Sequence, residues 1–322
     1  MYIIKQQPED FYVEEIPDFK ELKKSGEYAY FLLWKKNWNT MDVIKELARR
    51  GKISEKNFNV AGLKDKNAET KQYFSVRGVK KDKIERVLIK DTKIKFVGYG
   101  NERLRLGQLR GNIFKIIVRN LDKKLGKVNF MENYFDDQRF SGRNHLLGQS
   151  LVKKRFSEFC NMLRLEVKGK DYVSEIRKIG SKKLRFYVNA YQSYLFNKAL
   201  YSHLGKKYEN YKTIENFSGD MIVSNNKVEN IKVPVVGFLT ELKGEIGEIY
   251  KGLLSEEGIK EEDFLIKELP EASSEGNERN LLIKVNNLRL KQIDDKTAEV
   301  NFELPPGSYG TLVIKKMYAL GV

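Results

Sequence analysis

Residues Ala61–Phe74 read AGLKDKNAETKQYF. Asn59–Leu63 enters as a short apolar run and Gln72–Val76 leaves as another, a spacing that predicts two short strands bracketing a polar turn. At the turn sits Asp65, flanked by Lys64 and Lys66 and preceded by Gly62. A loop delivered by a strand is a frequent place for a catalytic group. For an isolated Gly-x-Lys-Asp the alternative is an aspartate that only forms the turn.

Composition removes most other chemistry. The chain has one cysteine, Cys160, and two histidines, His145 and His203. A Cys/His zinc site cannot be assembled from these, and a Ser-His-Asp or Cys-His arrangement would have to use one of the two histidines. No GxxxxGK[ST] or GxGxxG run is present, so no nucleotide-cradling loop is indicated. A single cysteine excludes an intrachain disulfide and fits a reducing, cytoplasmic compartment. The apolar stretch in MYIIKQQPEDF is too short for a secretory signal, and no segment approaches a membrane span. The expectation is a soluble chain, a monomer by default, and, if it is an enzyme, one in which carboxylates and lysines do the chemistry.

The formal charge is +16, and its distribution points to a polyanion. Residues 1–146 carry 32 Lys and Arg against 20 Asp and Glu, and residues 147–207 carry 14 against 4. Such basic surfaces are the footprint of a nucleic-acid partner, although a lysine-rich surface also serves solubility. With 18 Phe and 17 Tyr in the chain, aromatic faces are available to stack on splayed bases, while most of them must be core.

Working outward from the turn, Tyr28–Trp34 predicts a strand and Met41–Arg50 an amphipathic helix with Thr40 as N-cap. Ile113–Val118 is a β-prone run entered through Arg110-Gly111-Asn112. Phe186–Leu204 has helical spacing, with Gly205 as its stop, and Glu256–Glu278 reads as a helix followed by a linker. Asn280–Val285, Ala298–Leu304 and Thr311–Lys315 predict three strands, the last two joined by Pro305–Gly310. Strands at both ends and a differently composed middle make this an α+β chain. The expected organisation is a sheet domain of residues 1–146 and 280–322, interrupted by an inserted α+β module over 147–279.

Five segments together resemble the TruD family of tRNA pseudouridine synthases. Gly62–Gln72 resembles its G-x-K-D-x-x-A-x-T-x-Q signature, and Lys5–Glu15 its K-x-x-P-E-D-F-x-V-x-E. Gly111–Phe114 resembles G-N-x-F, Asn133–Phe140 N-Y-F-x-x-Q-R-F, and Leu304–Tyr309 L-P-x-G-S-[FY]. Asp136 stands where many members have glycine, and Ser141 follows the last QRF residue where bacterial members often have glycine. The motifs occur in the family's order from residue 5 to residue 309.

The resemblance implies a mixed, largely antiparallel pseudouridine-synthase sheet with an RNA-gripping insertion. It implies isomerisation of a uridine in tRNA, by analogy at position 13 in the D arm, with no metal and no organic cofactor. Asp65 takes the position of the required aspartate, either as nucleophile or as base and electrostatic stabiliser of a glycal route. Lys5 aligns with a lysine that pairs with it, a cation that would keep a carboxylate ionised; without the motif Lys5 would read as an exposed strand lysine. Lys64 would assist or contact phosphate. Asn112 would hydrogen-bond near the aspartate or the nucleotide. Phe114 aligns with an aromatic that packs on the extruded base, and Phe11 and Tyr309 with two that line the uridine pocket; for each, plain core is the alternative. Arg139 would contact phosphate or partner Asp136 or Asp137. A non-catalytic RNA-binding protein or RNA chaperone on the same fold is the second reading.

Overall fold

A computed structural model describes residues 2–322. In chain order it begins with β1 (Phe11–Pro17), β2 (Tyr28–Lys36), α1 (Thr40–Gly51), β3 (Phe58–Val60), β4 (Glu69–Arg77), α2 (Lys81–Glu85), β5 (Thr92–Gly100) and β6 (Leu109–Val118). Then come β7 (Phe130–Glu132), α3 (Asn144–Val152), α4 (Phe156–Met162), α5 (Tyr172–Arg177), α6 (Ser181–Lys207), β8 (Lys212–Ile214), β9 (Met221–Val223) and β10 (Lys232–Val235). The chain closes with α7 (Gly244–Glu257), β11 (Asn277–Asn280), β12 (Leu282–Lys284), β13 (Asn286–Asp294), β14 (Thr297–Leu304) and α8 (Gly310–Ala319). Two units are separable. One is Met1–Lys124, Lys284–Gly310 and Val322; the other is Leu125–Ile283 and Thr311–Gly321. Residues 125–146, 280–283 and α8 from Thr311 onward thus fall in the second unit.

The first unit is an eight-stranded sheet in the order β13-β14-β6-β1-β4-β2-β5, with β3 also on β4. Its pairs are antiparallel except β1 with β4. Alternation along the strands sends one set of side chains inward. Register brings Lys35, Thr70, Val13, Phe114 and Phe302 into one cross-strand row. In the neighbouring row Leu33 faces Gln72, and Glu15, Asn112 and Leu304 follow. At the β2 end α1 covers this face, packing Val43, Ile44 and Leu47 on Phe31, Leu33, Phe74 and Val76. The core is therefore apolar under α1 and polar where Lys35, Thr70, Gln72, Glu15 and Asn112 meet.

The second unit is built on α6, whose Leu184, Val188, Tyr191, Leu195, Phe196 and Leu200 are buried. Helix α3 crosses it at Gly148, where a Cβ would stand 2.0 Å from the Tyr187 carbonyl oxygen, so only glycine permits the approach. Lys316 and Glu132 form a buried ion pair at 3.0 Å, and Glu132 also accepts from Tyr208 Oη at 2.9 Å.

Four local expectations are corrected. Thr311–Lys315 is not a strand but part of α8; Leu312, Val313, Ile314 and Met317 are all buried, and tertiary packing overrides a β-prone run. Thr40 does not cap α1 with its side chain, because its hydroxyl is engaged at Asp65's loop, as described below. Helix α6 runs past Gly205 to Lys207. After α7 ends at the left-handed Gly258, no loose linker follows: Phe264, Ile266, Leu269 and Ala272 are buried.

Candidate active site

A fork in the sheet creates the site. Strand β1 pairs with β4 through Lys71, and β3 takes up β4 from Phe74 onward. Between them the Tyr73 N–H lies beyond the last β1 pair and before the first β3 pair. The Glu15 carboxylate accepts it at 2.8 Å. The chain leaving β3 crosses this fork as the loop Ala61–Ala68. Gln72 Nε2 donates to the Gly62 carbonyl at 3.1 Å, Thr40 Oγ1 donates to Gln72 Oε1 at 2.8 Å, and the Lys64 N–H donates to Thr40 Oγ1 at 3.0 Å. The loop is thus tied to β4 and to the first residue of α1.

Lys64 turns inward. Its ammonium lies 3.1 Å from Glu15 Oε1 and donates to Asn112 Oδ1 at 2.5 Å. Burial pushes the Glu15 carboxyl up, against the pull of Lys64 and the Tyr73 N–H. Gly62 is required by the same crowding: a Cβ there would meet Glu15 Oε1 at 2.9 Å. Lys64 is therefore an internal tie between the loop, β1 and β6.

Asp65 is held from two sides. Lys5 Nζ donates to its Oδ2 at 2.8 Å, with the two side chains 24% and 27% exposed. The same ammonium stands 4.0 Å over the Phe11 ring. Lys35, fully buried, donates to the Asp65 main-chain oxygen at 2.9 Å and to that of Trp38 at 2.6 Å. Burial pushes the Lys35 ammonium down to about 8, and Lys64 adds to this while Asp65 opposes it.

Lys5 reaches Asp65 on an arm pinned at both ends by Arg119. The Ile3 and Arg119 main chains exchange hydrogen bonds at 2.8 Å. The Arg119 guanidinium grips Asp10 with bonds of 2.8 and 3.0 Å. Asp10 is buried and also accepts from the Gln7 N–H at 3.2 Å. Between the pins Lys5 adopts φ +60°, a left-handed conformation unfavourable for a lysine. Burial raises the Asp10 carboxyl, but the Arg119 bonds outweigh it and hold it below its usual range.

Phe114 is 5% exposed, stacked on Phe302 with centroids 5.3 Å apart and edge-on to Phe11 at 6.2 Å. Gly310 lies against it, where a Cβ would approach the Phe114 ring to 2.6 Å. The half-buried Tyr309 precedes that glycine. Lys5, Asp65 and Phe11 thus converge directly, and Phe114 backs Phe11; Lys64 and Asn112 form an adjoining pair centred on Glu15.

Arg139 belongs to the second unit. It donates to Ser193 Oγ at 3.1 Å, and its guanidinium lies 5.6 Å from the rings of Phe135 and Phe186. Asp136 and Asp137 are taken by Lys315, at 2.7 and 2.5 Å. Among the described residues no cluster of three or more His, Cys, Asp or Glu side chains could hold a metal ion, and no helix is long and apolar enough to cross a membrane.

Sequence reading missed Lys35, Glu15, Thr40 and Gln72 as parts of the site. For Lys35 a signal existed: it extends the inward alternation Ala29-Phe31-Leu33, where a lysine breaks the apolar pattern.

The chain matches the family model for tRNA pseudouridine synthase D (TruD) over residues 2–166 and 160–317. It is 29% identical to the tRNA pseudouridine synthase D of Aquifex aeolicus, covering 99% of this chain and 98% of the relative. It is 32% identical to the probable tRNA pseudouridine synthase D of Thermococcus onnurineus, over 98% and 94% of the two chains. Among solved structures it resembles a Methanosarcina mazei protein assigned as tRNA pseudouridine synthase D, with a TM-score of 0.69, 26% identity, and coverage of 98% and 93%.

Proposed function

The chain belongs to the TruD family of tRNA pseudouridine synthases, and from that premise we propose that Asp65 is its catalytic residue and Lys5 the cation that serves it. As a member it is an isomerase that converts uridine in tRNA to pseudouridine. The reaction detaches uracil from ribose at N1, turns the base, and joins ribose to C5. N1 gains a proton and C5 loses one, so a label at C5 escapes to water. The observation that carries the assignment is the Lys5–Asp65 contact at 2.8 Å on a loop tied down at Gly62 and Lys64. A carboxylate with the Lys5 ammonium in contact and about a quarter of its side chain exposed can serve a nucleotide as nucleophile or as proton acceptor.

The supporting residues divide by position. Phe11 carries the Lys5 ammonium on its face, and Phe114 backs Phe11, so the two form the wall against which the extruded uracil rests. Asn112, fixed by Lys64, presents its amide toward the nucleotide. Tyr309, on the Pro305–Gly310 turn, lines the uridine pocket. Lys64 acts through Glu15 and Asn112, because its ammonium is engaged in the interior. Arg139 contacts RNA from the second unit, which grips the tRNA as an inserted domain.

The target is uridine 13 of the D arm, the enzyme works in the cytoplasm as a monomer, and it uses no metal or organic cofactor. Exposed Arg103 and Arg105 in the β5–β6 loop are part of the basic surface that meets tRNA phosphates. The test is tritium release from tRNA labelled at uridine C5, with Asp65→Asn beside the wild type. Release by the wild type and none by Asp65→Asn is expected; normal turnover by Asp65→Asn would overturn the site assignment.

A further inference from the structure

Among the described residues, the buried Lys35 has no ion-pair partner. It occupies the next inward position after Ala29, Phe31 and Leu33 on β2, where the strand's alternation calls for an apolar residue. Burying an ammonium is costly unless an opposite charge or full hydrogen bonding compensates it. Among the described residues no carboxylate lies within 4 Å of its Nζ, which donates to two main-chain oxygens, those of Trp38 and Asp65. Two carbonyls alone do not require a charge, since a neutral donor would satisfy them.

The charged groups around it are few. The Ala61–Ala68 loop contributes the Asp65 carboxylate and the Lys64 ammonium. The N-terminal arm contributes Lys5, which acts through Asp65, and β1 contributes Glu15, which acts through Lys64. From β4 the facing residue is the uncharged Thr70, and the turn before α1 offers only the Trp38 carbonyl. Asp65 is thus the anion to which a cation at Lys35 is coupled.

We propose that Lys35 is a positioning residue for Asp65: its buried ammonium holds the Asp65 main-chain oxygen from behind while Lys5 holds the carboxylate from the open side. The proposal rests on the reading of Asp65 as the catalytic residue. The two lysines differ in access. Lys5 is partly exposed and stands where a nucleotide must enter, so substrate competes with it for Asp65. Lys35 is sealed and keeps its grip throughout, which fixes the carboxylate when Lys5 turns to the substrate. A misplacement of about 1 Å at a reacting group is enough to cost on the order of a hundredfold in rate.

The variant is Lys35→Met, similar in length but without donor or charge. Its kcat in C5 tritium release is expected to fall on the order of a hundredfold, with tRNA affinity within about twofold of wild type by filter binding. A second readout separates charge from scaffolding. Because burial brings the Lys35 ammonium down to about 8, wild-type kcat falls as pH rises through that value, although a neutral amine still donates both hydrogen bonds. Lys35→Met lacks this limb. A kcat within about threefold of wild type, or the same alkaline limb in both proteins, would overturn the proposal. If Lys35→Met fails to fold, Lys35→Gln, which keeps a donor without the charge, decides: a turnover loss of at least about tenfold at wild-type thermal stability and tRNA affinity supports the role, and turnover within about threefold of wild type refutes it. Asp65→Asn run in parallel keeps the two readings distinct. Turnover by Asp65→Asn removes the premise, whereas an inactive Asp65→Asn beside a fully active Lys35→Met removes only the role of Lys35.

Discussion

Replacing Asp10 by asparagine tests whether the N-terminal arm acts by delivering Lys5. Asp10 is buried, receives two bonds from Arg119 at 2.8 and 3.0 Å, and accepts the Gln7 N–H. An amide in its place keeps one acceptor but turns an N–H₂ toward the guanidinium and leaves that charge unpaired. With Arg119 one-third exposed, the loss is about 3 kcal/mol, at the lower end for breaking a buried pair. That is on the order of a hundredfold in the docking equilibrium of the arm. The left-handed Lys5 adds to the tendency to undock, since such a residue costs roughly 1 kcal/mol to hold. The sheet itself should survive, because β1, β6 and β14 pair independently of residues 2–7.

The expected phenotype is faster amide exchange over residues 2–10 and a kcat reduced at least about tenfold, with little change in tRNA affinity. If Asp10 acts only through Lys5, Asp10→Asn/Lys5→Met is no slower than Lys5→Met alone. A fully additive double variant refutes the reasoning, as does a kcat within twofold of wild type while the arm exchanges freely. There is a pH signature as well. The Asp10 carboxyl is held below its ordinary value, so docking is strongest above the unfolded value of about 3.9 and weakens as pH falls through the folded one. Asp10→Asn should abolish that dependence.

Glu15→Gln leaves the Lys64 ammonium nearly buried without its counter-charge; a loss of about 3 kcal/mol and a melting temperature lower by roughly 5–10 °C are expected in calorimetry. Gly310→Ala drives a methyl into the Phe114 ring. It should cost about 1–3 kcal/mol by overpacking and lower kcat more than it weakens tRNA binding in parallel turnover and filter-binding assays. Arg103→Ala/Arg105→Ala removes two exposed cations. A titration of tRNA affinity against KCl should show weaker binding and a salt slope shallower by about two.

Strand β14 is legible in the sequence because inward apolar and outward polar residues alternate in it, β2 and β6 because they are β-prone runs of aromatic and branched residues, and the turn at Asp65 because two short runs bracket it. The fork is not, since it depends on β1 and β3 meeting β4 from the same side, a tertiary event without a local pattern. Glu15 and Lys35 are hidden for a related reason: each occupies an inward position that looks wrong until the loop carrying Lys64 and Asp65 is placed over it. Lys64 reads as a cation that assists Asp65 or contacts phosphate, and only the approach of Glu15 and Asn112 turns it inward. In β5 and β13 the alternation of Ile94 with Phe96 and of Leu288 with Leu290 is present but short, because both are edge strands with half-exposed side chains. Thr311–Lys315 misleads because β-branched residues also fill one buried side of a helix.

The position of β6 sets a constraint on how the protein is made. One edge of β6 is satisfied by β1, but the other waits for β14, and about 180 residues lie between them in the chain. At roughly 5–20 residues per second the ribosome takes on the order of 10–40 s to supply the missing strand. Throughout that interval Ile113–Val118 is an unsatisfied edge, and Phe114 lacks the Phe302 ring it later stacks on. Such an edge invites pairing with another nascent chain. A ribosome-bound fragment ending before residue 297 should therefore aggregate through β6 or recruit a chaperone there, and the Phe114–Phe302 stack forms only after residue 302 has emerged.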